Sequence, residues 1–232
     1  MANVDRSQVA GLPVFAGLAP GELDELLREA RTVRFPKGST VFSQDEEAHS
    51  FFVLLNGHVR AVKLTPAGQQ IVVRYVGPGE LFGIAPAIGS STYPATAIAA
   101  SESLALAWRS AAWPRLIARY PSLAGTALQT VGSRLQEAHT RVIEMTTEQV
   151  EQRVARALLR LAQQAGKKVD EGVQIDFPIT RQDVAEMIGT TLHTVSRILS
   201  AWEDQGLVEG GRQRIVIRDP HKLVMLAEKP SE

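Results

Sequence analysis

Apolar positions along the chain change period several times, and each change marks a different kind of element. In residues 7–30, Leu23, Leu26 and Leu27 share one helical face, so the chain is expected to open with a short helical segment. From Val33 to Trp108 the apolar runs are short and rich in β-branched and aromatic residues: VRF, TVF, FFVLLNGHVRAVKL, QIVVRYV, ATAIAA and LALAW. Lys37-Gly38, TPAGQ and GPGE punctuate them as turns. Many short strands at close spacing predict a β-roll, jelly roll or small barrel. Beyond Ser110 a helix is expected, interrupted at Pro121, and then a longer one over about residues 122–145. In that helix Ala124, Leu128, Val131, Leu135, Ala138, Val142 and Met145 recur in alternating four- and three-residue steps, a heptad seam. A seam that narrow needs a partner helix, and it reads as a parallel homodimer interface; a helix packed only on its own β-domain is the alternative. Thr146-Thr147 then reads as a hinge or a helix restart. Thr147 to Gln164 is amphipathic through Val150, Val154, Leu158 and Leu161, and Ala165-Gly166-Lys167-Lys168 ends it.

The most specific pattern follows, ITRQDVAEMIGTTLHTVSRILSAWEDQG over residues 179–206. Thr180 and Asp183 are spaced as a capping box, the carboxylate of Asp standing in for the usual Glu or Gln. Val184, Ala185 and Ile188 form an apolar face, and small Ala185 lets a second helix approach. Gly189 falls where a tight turn needs positive φ. Thr190 or Thr191 is placed to cap the next helix. Val195, Ile198, Leu199 and Trp202 give that helix its buried face, leaving Leu192, His193, Ser196 and Arg197 on the opposite one. Two short strands around Gly210-Gly211 read as a wing, bearing Arg212, Arg214 and Arg218. This is a winged helix-turn-helix, whose second helix enters a major groove. The candidate DNA contacts are Thr180, Arg181, Thr190, Thr191, Leu192, His193, Thr194, Ser196 and Arg197, with Arg212 and Arg214 on the wing. A helical hairpin that binds nothing is the bland alternative.

Composition narrows the function. The 232 residues suffice for more than one domain, and no apolar run approaches a membrane span. The chain has no cysteine, which excludes disulfides, thiolate metal sites and thiol redox sensing and fits a reducing cytoplasm. Lys plus Arg and Asp plus Glu both number 25, so the charge is balanced, where a DNA-binding protein is usually basic. Dimerisation and local clustering of arginines offset this. No phosphate loop, His-Glu-x-x-His or Gly-x-Ser-x-Gly is present, so no enzyme is read here.

An α+β chain of β-roll, long dimerisation helix and C-terminal winged helix-turn-helix resembles the CRP/FNR family of bacterial transcription regulators. The likeness rests on Lys37-Gly38, Phe51 to Gly57, Gly79-Glu80-Leu81-Phe82-Gly83, the heptad helix and ITRQDVAEMIGTTLHTVSRIL. It implies a β-roll sensing domain over 1–110, a linker and dimer helix over 111–146 and a DNA-binding domain over 147–232. It further implies a cytoplasmic homodimer on a palindromic operator, with RNA polymerase as a partner. The family reads bases with residues matching His193, usually Glu, and Arg197, which is retained.

The resemblance weakens at the effector. In cyclic-nucleotide-binding members a Glu and an Arg-Ser pair hold the ligand; here the matching positions carry Ile84 and Pro94-Ala95. No Lys or Arg lies between Tyr75 and Trp108 to meet a phosphate. The expected pocket is instead apolar, formed by Leu81, Phe82, Gly83, Ile84, Ala85, Tyr93, Pro94 and Ala95, with Pro86, Ile88 and Ile98 nearby. Such a pocket suits a hydrophobic ligand or a haem edge, as in regulators of nitric-oxide and denitrification genes, with His49, His58 or His139 as candidate iron ligands. The alternative is that these side chains only fill the β-roll. A second functional alternative is a sensor module whose output is a protein contact.

Overall fold

The computed structural model describes residues 6–229. They form two compact units: residues 6–64 with 74–136, and residues 65–73 with 137–229. The first contains α1 (Arg6–Val9), α2 (Pro20–Arg28), β1 (Arg31–Phe35), β2 (Thr40–Phe42), β3 (Ser50–Asn56) and β4 (Val59–Leu64). It continues with β5 (Gln70–Val76, whose first part belongs to the second unit), β6 (Leu81–Phe82), β7 (Thr96–Ala99), β8 (Ser103–Arg109) and α3 (Trp113–Arg119). Two four-stranded sheets, ordered β1-β8-β3-β6 and β2-β7-β4-β5, make the β-roll.

The uninterrupted apolar run Phe51–Leu55 has a physical cause. Strand side chains alternate, and β3 is buried on both faces. Phe51 and Val53 join Leu106 and Trp108 of β8 beneath Leu23, Leu26, Trp113 and Leu116 of the helices. Phe52 and Leu54 turn the other way, onto Val59, Val76, Phe82 and Ala97 inside the roll. The buried Trp108 indole N–H donates to the Leu26 carbonyl at 2.9 Å, tying sheet to helix. Such a bond contributes about 0.5–1.5 kcal/mol.

Two strand expectations change. FFVLLNGHVRAVKL is two strands in different sheets, broken at Gly57, which has φ +82. A Cβ there would lie 2.3 Å from the Glu102 carbonyl oxygen, so the chain reverses where only glycine fits. After the GPGE turn, Leu81 and Phe82 form β6, paired to Val53 and Phe52.

The long helix α4 (Pro121–Thr147) begins in the first unit and ends in the second. The second unit continues with α5 (Val150–Ala165), β9 (Gly166–Val169), β10 (Gly172–Ile175), α6 (Arg181–Ile188) and α7 (Leu192–Asp204). β11 (Val208–Gly211), β12 (Arg214–Ile217) and α8 (Pro220–Glu228) complete it. Its sheet runs β11-β12-β10-β9. The amphipathic face expected on α5 is present: Val154, Leu158 and Leu161 are buried. The Gly166-Lys167-Lys168 segment, expected only to end that helix, is an edge strand. Its polar side chains carry no alternation because little of the strand is buried. No helix among the described residues is long and apolar enough to cross a membrane.

Candidate nucleic-acid interface and ligand cavity

The helix-turn-helix is built as its spacing predicts. Thr180 Oγ1 accepts from the Asp183 backbone N–H at 3.1 Å, and the Thr180 N–H donates to Asp183 Oδ2 at 2.8 Å, a reciprocal cap on α6. Gly189 closes α6 in the left-handed region, φ +68. Thr191, not Thr190, caps α7, its side chain accepting from the Thr194 N–H at 3.2 Å. Val184, Ala185 and Ile188 of α6 and Val195, Ile198, Leu199 and Trp202 of α7 are buried. That burial fixes which side of α7 is left outside. Leu192, His193 and Arg197 are exposed on it, with Thr194 and Ser196 partly so.

The wing differs from expectation. Gly210 and Gly211 are not its turn; they pair with Ile215 and Arg214 in the β11–β12 ladder. The reversal is at Arg212-Gln213, with Gln213 at φ +61. Gly210 serves a close approach instead: a Cβ there would lie 2.1 Å from Glu203 Oε1. Arg212 is exposed at the tip. Arg214 and Arg218 both pair with Glu209, at 2.8 and 3.0 Å, and Arg214 also donates to Gln174. Arg181 is turned onto Glu203 at 2.7 Å.

Within the β-roll lies a cavity of about 350 Å³. Phe82, Gly83, Ile84, Ala85, Tyr93, Pro94 and Ala95 line it as expected, together with Ile88, Phe42, Val59, Ala61, Val76 and Ala97. Leu81 does not. The two residues of β6 point to opposite faces, and Leu81 is buried with the helices while Phe82 faces the cavity. Pro86 and Ile98 are also absent from the lining. Phe42 stacks on Tyr93 with ring centroids 3.8 Å apart. The Tyr93 hydroxyl donates to the Ser50 carbonyl at 2.6 Å and accepts from its N–H at 3.1 Å. Burial pushes the Tyr93 hydroxyl pKa above its usual value.

The expectation that no cation reaches this cavity is incorrect. Arg74 and Arg134 line it, from β5 and α4. Both lie outside the cation-free stretch in sequence and are folded back beside it. Arg74 is largely buried and bonded to the Glu80 carboxylate and the Tyr75 carbonyl. Arg134 donates to the Leu81 carbonyl. Among the described residues, none of the three candidate histidines lines the cavity. His49 is exposed beside Glu47, His58 lies at the β3–β4 turn, and His139 is exposed on α4.

These features match known proteins. Residues 32–120 match the cyclic nucleotide-binding domain family, and residues 152–226 match the Crp-like helix-turn-helix domain family. The cyclic AMP receptor protein of Thermus thermophilus is 31% identical over 217 residues, covering 94% of this chain and 97% of that one. The chain belongs to the CRP/FNR family of transcription regulators. The nitrogen fixation regulation protein FixK of Bradyrhizobium diazoefficiens is 29% identical over 92% of this chain and 89% of its own. The structure of FixK2 from Bradyrhizobium japonicum, at 23% identity, shares the fold with a TM-score of 0.75, over 87% of this chain and 99% of that one. As a CRP/FNR family member the protein is a DNA-binding transcription regulator, and α6 and α7 lie within its Crp-like helix-turn-helix domain.

The heptad seam of α4 is largely uncovered. Leu128 is 74% exposed, Leu135 56%, Val142 61% and Met145 55%, and Ala138 is exposed, while Ala124 and Val131 are partly buried. Ile143 beside them is exposed too. The sequence reading missed Glu203 and the arginines of the cavity wall. β5 did carry a signal: Val72, Arg74 and Val76 alternate onto one side of the strand. On α4, Val131, Arg134 and Leu135 follow three- and four-residue spacing, so Arg134 shares their side.

Proposed function

We propose that the protein is a homodimeric, sequence-specific regulator that reads a palindromic operator, gated by an effector other than a cyclic nucleotide. The observation that carries the reading is the free side of α7. Its opposite side is anchored by four buried residues, so Leu192, His193, Ser196 and Arg197 are held outward on a rigid helix. Arg197 has the chemistry to grip guanine O6 and N7 bidentately; His193, replacing the family's usual Glu, alters the neighbouring base preference. Thr180, Thr190, Thr191 and Thr194 lie at the helix ends, where hydroxyls and backbone amides meet phosphates. Arg212 on the wing tip extends that contact.

An uncovered apolar stripe of this length on α4 supports pairing with a second copy. Pairing sets two reading helices against successive major grooves about 34 Å apart. Val131 and Leu135 belong both to that stripe and to the cavity wall, so an occupant of the cavity bears on the pairing surface. We place the protein in the cytoplasm with RNA polymerase as a partner.

The test is selection of duplexes from a randomised pool by the full chain, followed by anisotropy titration at several salt concentrations. A two-fold symmetric site, bound with strong salt dependence, supports the reading. Binding that is neither sequence-selective nor salt-dependent contradicts it and favours a sensor acting through protein contacts.

A further inference from the structure

Resting on the reading that the β-roll cavity is the effector site, we infer that it takes an uncharged, predominantly apolar small molecule. The cavity, about 350 Å³, has the size of a small-molecule site. Its wall is made of aliphatic side chains and the rings of Phe42, Phe82 and Tyr93, which offer stacking and dispersion to a flat apolar guest.

The polar groups on that wall are engaged within the fold. Arg74 is neutralised by the Glu80 carboxylate, which also accepts from the Gly77 N–H at 3.2 Å. The Tyr93 hydroxyl both donates to and accepts from the Ser50 backbone. Arg134 is directed at the Leu81 carbonyl. Arg134 keeps its charge, but an anionic guest would have to redirect it from the Leu81 carbonyl or break the Arg74–Glu80 pair, and a cationic guest would have to take Glu80 from Arg74; each is costly at a largely apolar site. An apolar guest breaks none of them and gains by leaving water. One wall is α4, through Val131 and Leu135. An apolar guest therefore packs directly on Leu135, which is also half-exposed on the unpaired stripe.

The test uses the full chain and two fluorophores sharing an anilinonaphthalene frame. N-phenyl-1-naphthylamine is neutral; 8-anilinonaphthalene-1-sulfonate carries an anionic group. Cyclic AMP is the competitor. The neutral probe is expected to bind saturably, at least about tenfold more tightly than the sulfonate. Cyclic AMP is expected not to displace it. Two substitutions locate the site. Ile88→Trp adds bulk at the rim, where Ile88 is 51% exposed, and is expected to leave the fold intact. Ala97→Leu fills the interior. Each is expected to weaken the neutral probe by about tenfold or more, since it removes the space that buries the guest. Circular dichroism checks that both variants are folded.

Displacement by cyclic AMP, equal affinity for the sulfonate, or unchanged neutral-probe affinity in folded Ile88→Trp overturns the inference. DNA affinity is measured on the same samples. A chain that binds operator but fails the probe test has a different ligand class; a chain that binds no DNA undermines the underlying reading instead.

Discussion

Arg181 holds both carboxylate oxygens of Glu203, at 2.7 and 2.9 Å, and so joins the first turn of α6 to the last turn of α7. The same guanidinium donates to Ser200 Oγ at 3.1 Å and to the Ser196 carbonyl at 3.3 Å. Gly210 of the wing packs against the Glu203 carboxylate, where a Cβ would lie 2.1 Å from Oε1 and the carboxylate would have to move. Three elements of the reading head therefore meet at one ion pair.

We propose that Arg181, held in this way, positions α7 rather than neutralising a phosphate. The pair is about one-third exposed, so its net contribution to stability is about 0.5–1 kcal/mol. Arg181→Gln and Glu203→Gln are expected to weaken operator binding by similar factors, about 2- to 10-fold, and the double variant by no more than either alone. The salt dependence of binding separates the two roles. Loss of a phosphate contact lowers the slope by about 1. An unchanged slope in both single variants is expected here.

The exposed α4 stripe makes a sharp prediction about self-association. Leu128 is 74% exposed in the single chain, so a glutamate there does not disturb the fold. Placed opposite its own copy in a dimer it is repelled and desolvated. Leu128→Glu together with Val142→Glu is expected to convert the protein to monomer in sedimentation equilibrium, with secondary structure unchanged and operator affinity sharply reduced. A dimer that survives both charges pairs through another surface.

Gly57 is a stability prediction for the β-roll alone. Its φ of +82 and the 2.3 Å approach of the Glu102 carbonyl act together, and the blocking atom is backbone. Gly57→Ala is expected to destabilise the roll by about 1–3 kcal/mol or more. Urea melts followed by tryptophan emission report it, since Trp108 and Trp113 lie in the core of that unit.

Tyr93 supplies a pH dependence. Burial raises its folded-state pKa, so the folded chain holds the phenolic proton more tightly than the unfolded one. Its contribution to stability is then fully present below the unfolded value, about 10, and is lost as pH rises through the folded value. The stability difference between wild type and Tyr93→Phe is expected to be constant near neutrality and to shrink above about pH 10. A difference that grows with alkalinity would reverse the sign.

The parts that were legible in sequence are those whose information is local. The faces of α6 and α7 follow helical spacing, and Thr180, Asp183 and Gly189 signal their own caps within a few residues. Strand β3 was legible as strand because FFVLL is buried on both sides, but its break at Gly57 depends on Glu102 arriving from the distant β7–β8 turn. The wing misled for a different reason: a Gly-Gly pair signals a turn, yet Gly210 and Gly211 pair within the β11–β12 ladder and the reversal falls at Arg212-Gln213. The cavity shows the limit most clearly. Counting charges from Tyr75 to Trp108 excluded cations, while Arg74 and Arg134 reach the wall from one residue before that window and from α4 beyond it. Leu81 was lost to the other core because β6 is only two residues long, and its phase is set by pairing with β3.

The most direct test of the account is the specificity of Arg197→Ala, measured by anisotropy on a selected operator and on a scrambled duplex at one salt concentration. The account predicts an intact dimer whose operator affinity falls by about 1–3 kcal/mol, while affinity for the scrambled duplex changes far less. An operator affinity equal to wild type would contradict the claim that the outward side of α7 reads DNA.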